Sequence, residues 1–249
     1  MVFFFIGHRG TRKSIDENTD KAFETAIKAG ANYVEFDIRK TKDNQFIIFH
    51  DETLDRTTNS SGYINSLTYK ELNKYKTKIN NQDIPLLVEV LRKYKDKTKF
   101  MIELKEKGIQ ENILDIIIKS EVTNKCIISG RSINDLLDIK KRGLECLICY
   151  NITKGKELTL EDFLKEGEKK RFRFLVDMIS LRSNQITERF INICHMNNIL
   201  ALSWDFIKYE DPLVEIKKII SMGIDGVLFD DYNNISLIRN WMDNIGIIH

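Results

Sequence analysis

The stretch that decides the fold is residues 3–39, where Phe3-Phe4-Phe5-Ile6-Gly7-His8 and Tyr33-Val34-Glu35-Phe36-Asp37-Ile38-Arg39 are two short apolar runs. Between them, Thr19 to Ala29 has its apolar residues at helical spacing, and Gly30 follows as a stop signal. Two strands that are joined through a helix usually lie parallel to each other. The stretch therefore predicts one strand–helix–strand unit of a parallel sheet.

The same alternation continues to the end of the chain. Beyond the first two strands we predict six more, near residues 99–104, 125–129, 145–149, 174–180, 199–203 and 226–229, with helical patterns such as 184–196 between them. Eight such units close into a (β/α)8 barrel, also called a TIM barrel, and a chain of 249 residues has the usual size for one. We predict a single barrel domain over residues 1–249.

One segment departs from the alternation. Phe46 to Phe49 is a short apolar run, and a turn signal at 41–44 joins it to the second strand, so we predict a β-hairpin there. The polar residues 51–82 that follow are predicted to form a small insertion, with a helical piece near 67–75. A loop of this length on a barrel usually has a function.

Composition limits the classes of function. The chain has 39 Lys and Arg against 37 Asp and Glu, a formal charge of +2, which excludes the lopsided basicity of a dedicated nucleic-acid binder. No apolar run approaches the roughly 18 residues of a transmembrane helix, and the apolar start is too short for a signal peptide. We therefore expect a cytoplasmic chain whose four cysteines are reduced, buried thiols. Nothing in the sequence fixes an oligomeric state.

The titratable residues at the predicted strand ends form the candidate active site, because a barrel binds its substrate at the carboxyl ends of its strands. These residues are His8, Arg9, Glu35, Asp37, His50, Glu103 and Lys105. Residues two apart on a strand point the same way, so Glu35 and Asp37 face one space, as do Glu103 and Lys105. We expect all of these side chains to meet at the mouth of the barrel.

Three converging carboxylates, those of Glu35, Asp37 and Glu103, would repel one another unless a cation neutralised them. Ligation by oxygen alone favours Mg²⁺ or Ca²⁺ over zinc, so we predict one divalent cation of this kind. The two histidines can act as general acid and base, and Arg9 with Lys105 can hold an anion.

A structural explanation competes with this one. Taken alone, Glu35 and Asp37 could form ion pairs with Arg39 or Lys40, and a single histidine at a strand end is more often structural than catalytic. The combination of all these residues on successive strand ends favours an active site.

The same residues carry a resemblance to a known family. The motifs are, in chain order, Ile6-Gly7-His8-Arg9-Gly10, Glu17-Asn18-Thr19, Val34-Glu35-Phe36-Asp37, the run from Phe49 to Thr58, and Ile102-Glu103-Leu104-Lys105. This ordered series resembles the signature of the glycerophosphodiester phosphodiesterase family. The similarity continues through Trp204 and residues 223–227, so that it covers nearly the whole chain.

The resemblance implies a barrel enzyme that hydrolyses glycerophosphodiesters, which are small-molecule substrates, to glycerol 3-phosphate and an alcohol with the help of a divalent metal. Position by position, it implies Glu35, Asp37 and Glu103 as metal ligands, His8 and His50 as acid and base, and Arg9 and Lys105 as phosphate contacts. Glu17 and Trp204 are further candidates for the substrate pocket.

The chain departs from the family pattern at three places. Asp16 stands where the family usually has a Pro before the Glu-Asn-Thr motif. After the seventh predicted strand, Trp204-Asp205-Phe206-Ile207 stands in place of Trp-Thr-Val-Asn. The fourth predicted strand ends in Ser129-Gly130-Arg131, where the family commonly has a Ser-Phe pair. The last two changes leave the alcohol side of the pocket open to a different specificity.

Two alternatives stand beside this function. A phospholipase D of the sphingomyelinase type has a related barrel that is similar at the His-Arg, Glu-x-Asp and His-Asp positions, but it would require an exposed apolar mouth and secretion. A non-catalytic barrel that only binds phosphate would be favoured if a histidine or a carboxylate had been replaced, and here none has been.

Overall fold

The computed structural model describes residues 3–155, 157–168 and 176–246. Within these residues nine strands form one sheet. The strands are β1 Phe4–Gly7, β2 Tyr33–Lys40, β3 Phe46–Ile48, β4 Lys99–Leu104, β5 Cys126–Gly130, β6 Leu147–Asn151, β7 Met178–Arg182, β8 Leu200–Trp204 and β9 Gly226–Phe229.

Eight of the strands close into a parallel barrel. β1 pairs in parallel with β2 on one side, where Ile6 lies opposite Tyr33, and with β9 on the other, where Phe4 lies opposite Gly226. β3 stays outside the ring and pairs antiparallel with β2, with Arg39 opposite Ile47. The predicted barrel and its hairpin are therefore confirmed.

Helices connect the strands and cover the barrel. They are α1 Asp20–Lys28, α2 Tyr69–Leu72, α3 Leu87–Tyr94, α4 Gln110–Lys119, α5 Ile133–Lys141, α6 Leu160–Gly167, α7 Glu188–Met196, α8 Pro212–Ser221 and α9 Asn233–Asn244. Side-chain caps start several of them, as when the Thr19 hydroxyl accepts a hydrogen bond from the main-chain N–H of Ala22. Among the described helices none combines the length and the apolar character that crossing a bilayer requires.

The centre of the barrel interior holds one buried side chain from each of its eight strands, and the half-buried Phe4, Leu147 and Leu200 pack against this set. The eight buried side chains are Ile6, Tyr33, Met101, Ile127, Cys149, Met178, Leu202 and Leu228. Alternate residues of the same strands, such as Phe36 and Ile102, pack between the strands and the helices instead. Residues two or four positions after the interior set therefore point toward the carboxyl-end mouth of the barrel.

The insertion between β3 and α3 has its own small apolar cluster, formed by Ile47, Phe49, Leu54, Ile64, Leu72 and Ile84. The predicted helical piece at 67–75 is shorter than expected, because α2 spans only Tyr69–Leu72 after a Thr68 cap. Buried Asp16 fastens the insertion to the loop after β1. Its carboxylate accepts hydrogen bonds from the Thr77 hydroxyl at 2.7 Å and from the main-chain N–H groups of Ile79 and Asn80 at 3.0 and 2.5 Å.

Some predicted boundaries were wrong by a few residues. The helix expected over 184–196 begins only at Glu188, because 183–185 form a 3-10 turn and Thr187 supplies the cap. The strand expected at 145–149 is β6, two residues later. The strand expected at 174–180 is β7, and residues 174–175 lie outside the described residues.

The four cysteines are free and buried, as predicted. Cys149 lies in the barrel interior, whereas Cys146 belongs to the cluster between the strands and the helices. The two thiols therefore do not face each other.

Candidate active site

The inward-facing pattern of the strands places polar side chains around the mouth of the barrel. They are His8, Glu35, Asp37, Glu103, Lys105, Ser129, Arg131, Asn151, Ser180, Arg182, Trp204 and Asp230, each two or four residues beyond an interior apolar residue. All seven residues that the sequence predicted at strand ends lie at this end of the barrel.

Glu35, Asp37 and Glu103 form the centre of the mouth. Each offers a carboxylate oxygen within 4.8 Å of the other two, and all three side chains are buried. Glu35 Oε2 accepts a hydrogen bond from the main-chain N–H of Arg9 at 2.6 Å. Its buried Oε1 has no hydrogen-bond partner within the described part of the chain. An orphaned, buried carboxylate oxygen in an all-oxygen set fits a hard divalent cation.

The three carboxyls differ in charge. Burial, together with the neighbouring Asp37 and Glu103 carboxylates, raises the pKa of Glu35 well above its ordinary value. For Asp37 burial acts in the same upward direction, but Lys105 and Arg9 outweigh it and hold the pKa well below its ordinary value. Glu35 is therefore the carboxyl of the centre that resists ionisation, and a bound cation would favour its charged form.

Two basic side chains border the carboxylates. Lys105 Nζ lies 3.0 Å from Asp37 Oδ1 and 2.9 Å from Glu103 Oε1. Arg9 Nε lies 3.3 Å from Asp37 Oδ2. Arg39 contacts Glu106 instead, with 3.7 Å between Nη1 and Oε1, and its Nε donates a hydrogen bond to the main-chain oxygen of His50. Among the described residues neither Arg39 nor Lys40 forms an ion pair with Glu35 or Asp37, so that alternative is wrong.

The turn after β1 positions His8 and Arg9. Arg9 adopts a left-handed backbone with φ of 53°, and Gly10 follows with φ of 74°. A Cβ atom at Gly10 would lie 2.7 Å from the main-chain carbon of Ala22, so only glycine fits. The turn directs the N–H of Arg9 at Glu35 and thereby joins the first strand to the carboxylate centre.

Each of the two mouth histidines is held by a carboxylate. His8 Nδ1 lies 2.7 Å from Asp230 Oδ1, and His50 Nδ1 lies 2.6 Å from Asp51 Oδ1. Because an ionised carboxylate only accepts hydrogen bonds, Nδ1 carries the proton in both rings and Nε2 is left for proton transfer. Burial, aided by the positive charges of Arg9 and Lys105, lowers the pKa of His50 to about 4, although Asp37 and Asp51 act in the opposite direction.

Glu17 lies within a group of arginines. Its carboxylate contacts Arg9 Nη1 at 2.7 Å, Arg12 Nε at 3.6 Å and Arg56 Nη2 at 2.6 Å. Burial raises its pKa, but Arg9 and Arg56 outweigh that effect and lower the pKa to about 2. Glu17 is therefore ionised, and it holds the Arg9 guanidinium in place.

Trp204 ends β8 next to His8, with 6.2 Å between the two ring centroids. The Arg182 guanidinium lies over the indole, 4.9 Å from the ring centroid. The buried indole Nε1 lacks a hydrogen-bond acceptor among the residues described. That Trp204 borders the substrate pocket stays a prediction.

Several mouth residues were not singled out from the sequence. Asn18 donates a hydrogen bond to Asp37 Oδ2 at 2.9 Å, and Arg12 Nη1 lies 2.9 Å from Asp230 Oδ1. Asn18 stands within the quoted Glu-Asn-Thr motif. Asp230 was identifiable from the alternation of β9, since it lies two residues beyond the interior Leu228.

The other two histidines were given no role. His195 lies on α7, and its Nε2 is 2.9 Å from Asp225 Oδ2, just before β9 and so at the opposite end of the barrel. His249 lies outside the described residues.

The fold and the polar mouth together define a TIM-barrel enzyme whose centre suits a phosphate ester. The comparison with protein families then identifies the group: the sequence profile described as the glycerophosphoryl diester phosphodiesterase family matches residues 8–234, so the chain belongs to that family. The predicted family and the predicted enzyme class, phosphoric diester hydrolase, are confirmed.

Individual relatives agree with this membership. The chain is 29% identical over 253 aligned residues to a glycerophosphodiester phosphodiesterase of Caldanaerobacter subterraneus, covering 96% of this chain and 99% of the relative. It resembles the crystal structure of a glycerophosphodiester phosphodiesterase from Thermotoga maritima, with a TM-score of 0.75, 28% identity and coverage of 97% and 98%. An Oleispira antarctica phosphodiesterase in complex with the product sn-glycerol-3-phosphate shares the fold, with a TM-score of 0.79, 20% identity and coverage of 96% of both chains.

Proposed function

We propose that this chain hydrolyses glycerophosphodiesters to glycerol 3-phosphate and an alcohol in a reaction that requires one divalent cation, Mg²⁺ or Ca²⁺. The observation that carries the proposal is the buried cluster of Glu35, Asp37 and Glu103 at the same mouth as two carboxylate-held histidines. A substrate that fits this centre combines an anion with a leaving group that must be protonated.

Glu35, Asp37 and Glu103 would hold the cation. When bound, it would polarise the phosphate and lower the pKa of an attacking hydroxyl. Because burial and the neighbouring carboxylates raise the pKa of Glu35, cation binding would favour the ionised form of this carboxyl.

Arg9 and Lys105 are proposed to bind the phosphate. Both are buried beside Asp37, and a phosphate oxygen can share their N–H donors. Arg9 Nη1 donates a hydrogen bond to Glu17 Oε1, which holds the guanidinium in place. The guanidinium is therefore preorganised to stabilise the charge that develops on the phosphate oxygens in the transition state.

His8 and His50 are proposed as the acid–base pair. In the first step the Nε2 of one ring takes the proton of the glycerol 2-hydroxyl while the hydroxyl oxygen attacks phosphorus. The other ring, which enters this step protonated at Nε2 as well as at Nδ1, gives its Nε2 proton to the departing alcohol. Water then opens the resulting cyclic phosphate with the two roles reversed, so that glycerol 3-phosphate is released. The neutral form of His50 that its low pKa maintains at pH 7 suits the accepting role in the first step.

The test is a panel of glycerophosphodiesters, assayed with Mg²⁺, Ca²⁺ and Mn²⁺ and after chelation, with glycerol 3-phosphate measured as the product. Glu103→Gln should remove the activity, whereas His195→Gln, a histidine change at the other end of the barrel, should not. Absence of turnover across the whole panel would overturn the proposal. In that case, cleavage of sphingomyelin would favour a phospholipase D, and phosphate binding alone would favour a non-catalytic barrel. The cytoplasmic location stays a prediction.

A further inference from the structure

The mouth of the barrel carries three further basic residues on the side of β5, β6 and β7. We call Arg131, Lys154 and Arg182 the basic rim. Arg131 and Arg182 lie two residues beyond the interior-facing Ser129 and Ser180, and Lys154 lies in the turn after β6. The three residues lie at or just after the ends of neighbouring strands, because β6 pairs with β5 on one side and with β7 on the other. Arg131 and Lys154 also line one cavity, and the charges of Arg131 and Arg182, with burial, lower the pKa of Lys154.

The basic rim is not fully neutralised. Arg131 Nη2 lies 3.4 Å from Glu103 Oε1, and Lys105 Nζ lies 2.9 Å from the same oxygen. Arg182 Nε lies 3.1 Å from Asp205 Oδ2. Lys154 has no carboxylate within 4.0 Å among the described residues. Arg182 thus has an acid of its own, Arg131 shares Glu103 with Lys105, and Lys154 has no acidic partner in the described part of the chain. Clustered like charges are unfavourable unless an anion joins them.

A cavity of about 400 Å³ adjoins Arg131 and Lys154 of the rim. Its charged lining consists of five basic side chains, Arg39, Lys105, Lys107, Arg131 and Lys154, and four acidic ones, Glu52, Glu106, Asp135 and Glu157. It therefore leads from the proposed phosphate contact, Lys105, to two cations of the rim. A Cβ atom built at Gly130 would meet nothing closer than Leu136 at 3.8 Å. Gly130 therefore adds no side chain to the lining of the cavity.

The rim is poorly suited to a cationic alcohol such as choline. A quaternary ammonium group binds best over an aromatic ring, but Arg182 already lies over the Trp204 indole. Asp205 is ion-paired with the same arginine, so its charge is not free for a second cation.

From this we infer that the basic rim binds an anionic group on the alcohol half of the substrate, so that glycerophosphodiesters whose leaving alcohol carries a phosphate or a carboxylate are preferred. The inference rests on the proposed function and specifies its substrate class. The diester phosphate lies at Arg9 and Lys105, and the second anion lies between Arg131, Lys154 and Arg182.

Matched substrates test the inference on the metal-loaded enzyme. For a phosphate, kcat/KM for bis(glycerophospho)glycerol is compared with that for glycerophosphoglycerol. For a carboxylate, glycerophospho-3-hydroxypropionate is compared with glycerophosphopropanol. Each anionic member should be favoured by about tenfold or more, and glycerophosphocholine should be the poorest substrate. A preference in only one pair identifies which anion the rim accepts.

Variants link the preference to the rim. Lys154 is exposed, so its substitutions should fold. Lys154→Ala should lower the anionic-to-neutral ratio of kcat/KM roughly threefold to fivefold, and Lys154→Glu should lower it further and favour the choline ester. The control is Lys141→Ala, an exposed lysine on α5 that pairs with Asp138 and should leave the ratio unchanged.

The outcomes separate this inference from the proposed function. Normal turnover of neutral diesters with no preference for the anionic ones, or an unchanged ratio in both Lys154 variants, would overturn the inference and leave the proposed function standing. No turnover of any diester would overturn both.

Discussion

His8 and Asp230 are 222 residues apart in the chain, yet their side chains meet with 2.7 Å between Nδ1 and Oδ1. The closing of the barrel causes this meeting, because β1 and β9 are neighbours in the ring and both residues follow the ends of those strands. Asp230 also accepts the main-chain N–H of Phe206 at 2.7 Å and pairs with Arg12. One carboxylate therefore orients the proposed catalytic ring and ties together three loops of the mouth.

Asp230→Asn should lower kcat by about 10²-fold, because the His8 ring loses the carboxylate that fixes its tautomer and orientation. It should also cost about 1 to 3 kcal/mol of unfolding free energy. Steady-state kinetics and urea unfolding measure the two effects. Asp225→Asn is the matched control, since Asp225 pairs with His195 outside the mouth and should cost stability with kcat unchanged. Equal kcat in both variants would contradict a positioning role for Asp230.

The Asp230 pair also makes stability depend on pH. Burial raises the pKa of Asp230, but His8 and Arg12 outweigh it and hold the pKa below its ordinary value. Because the pKa is lower in the folded than in the unfolded protein, where it is near 3.9, ionised Asp230 stabilises the fold fully at pH values above about 3.9. This stabilisation is lost as the pH falls further. Asp230→Asn should therefore lose little further stability on acidification between about pH 4 and 2, whereas the parent chain loses more.

His50→Ala should lower kcat by roughly 10² to 10⁴, the range expected for a lost general acid or base, and His8→Ala should do the same. Both variants should keep the metal-induced rise in melting temperature. A His50 variant with near-normal turnover would move the proton transfer to another group, with Glu17 or Asp51 as the next candidates.

His50 also predicts a loss of stability in mild acid. Its folded-state pKa of about 4 lies below the unfolded value, near 6.5, so the folded protein resists taking up the proton. The metal-free protein should lose stability as the pH falls from about 6.5 to 4. His50→Gln should lose less over that interval in thermal unfolding. An identical pH profile for the two proteins would contradict this assignment.

Glu35→Gln should abolish the rise in melting temperature that Mg²⁺ or Ca²⁺ produces, and it should raise the melting temperature of the metal-free protein at neutral pH. The second effect follows because the raised pKa of Glu35 makes its charged form destabilising above about pH 4.3. Asp37→Asn is the contrast, because it removes the partner of Lys105 and should lower the metal-free melting temperature. Thermal scans with and without chelator measure these melting temperatures. A lower metal-free melting temperature in both variants would contradict the prediction for Glu35.

The nucleophile can be tested with a substrate that lacks the glycerol 2-hydroxyl. Attack by that neighbouring group gains the proximity advantage of an intramolecular reaction, up to about 7 to 11 kcal/mol in favourable cases. A 2-deoxyglycerol diester with the same leaving alcohol should therefore bind but turn over far more slowly. Comparable kcat for the two substrates would mean that water attacks phosphorus directly.

Asp16→Ala should loosen the insertion. The change removes the acceptor of the Ile79 and Asn80 main-chain N–H groups and of the Thr77 hydroxyl. Hydrogen exchange at these two amides should accelerate, and unfolding should cost roughly 1 to 3 kcal/mol less. Asp16→Asn retains one carbonyl acceptor and should give a smaller effect. Unchanged exchange in Asp16→Ala would show that the apolar cluster alone holds the insertion.

Local sequence patterns accounted for most elements of the fold. The run from Tyr33 to Arg39 lies within β2, and the Thr19 cap marks the start of α1. Boundaries were missed where a short turn preceded a helix, as at 183–185 before α7, because a 3-10 turn and the first turn of a helix share similar spacing. Asp16 gave no sequence signal for its role, since its partners lie more than sixty residues away.

The sequence by itself determined which residues face the mouth, because alternation along a strand fixes the side that a residue occupies: Glu35 and Asp37 had to point together, as did Glu103 and Lys105. Only the tertiary structure decided which charges meet. The ring brings Asp230 to His8 and Lys105 to Asp37, and it makes β5, β6 and β7 neighbours, so that Arg131 and Arg182 lie at strand ends on the same side of the mouth. The physical reason is that burial and charge act over a few ångströms through space, whereas the sequence specifies neighbours only along the chain.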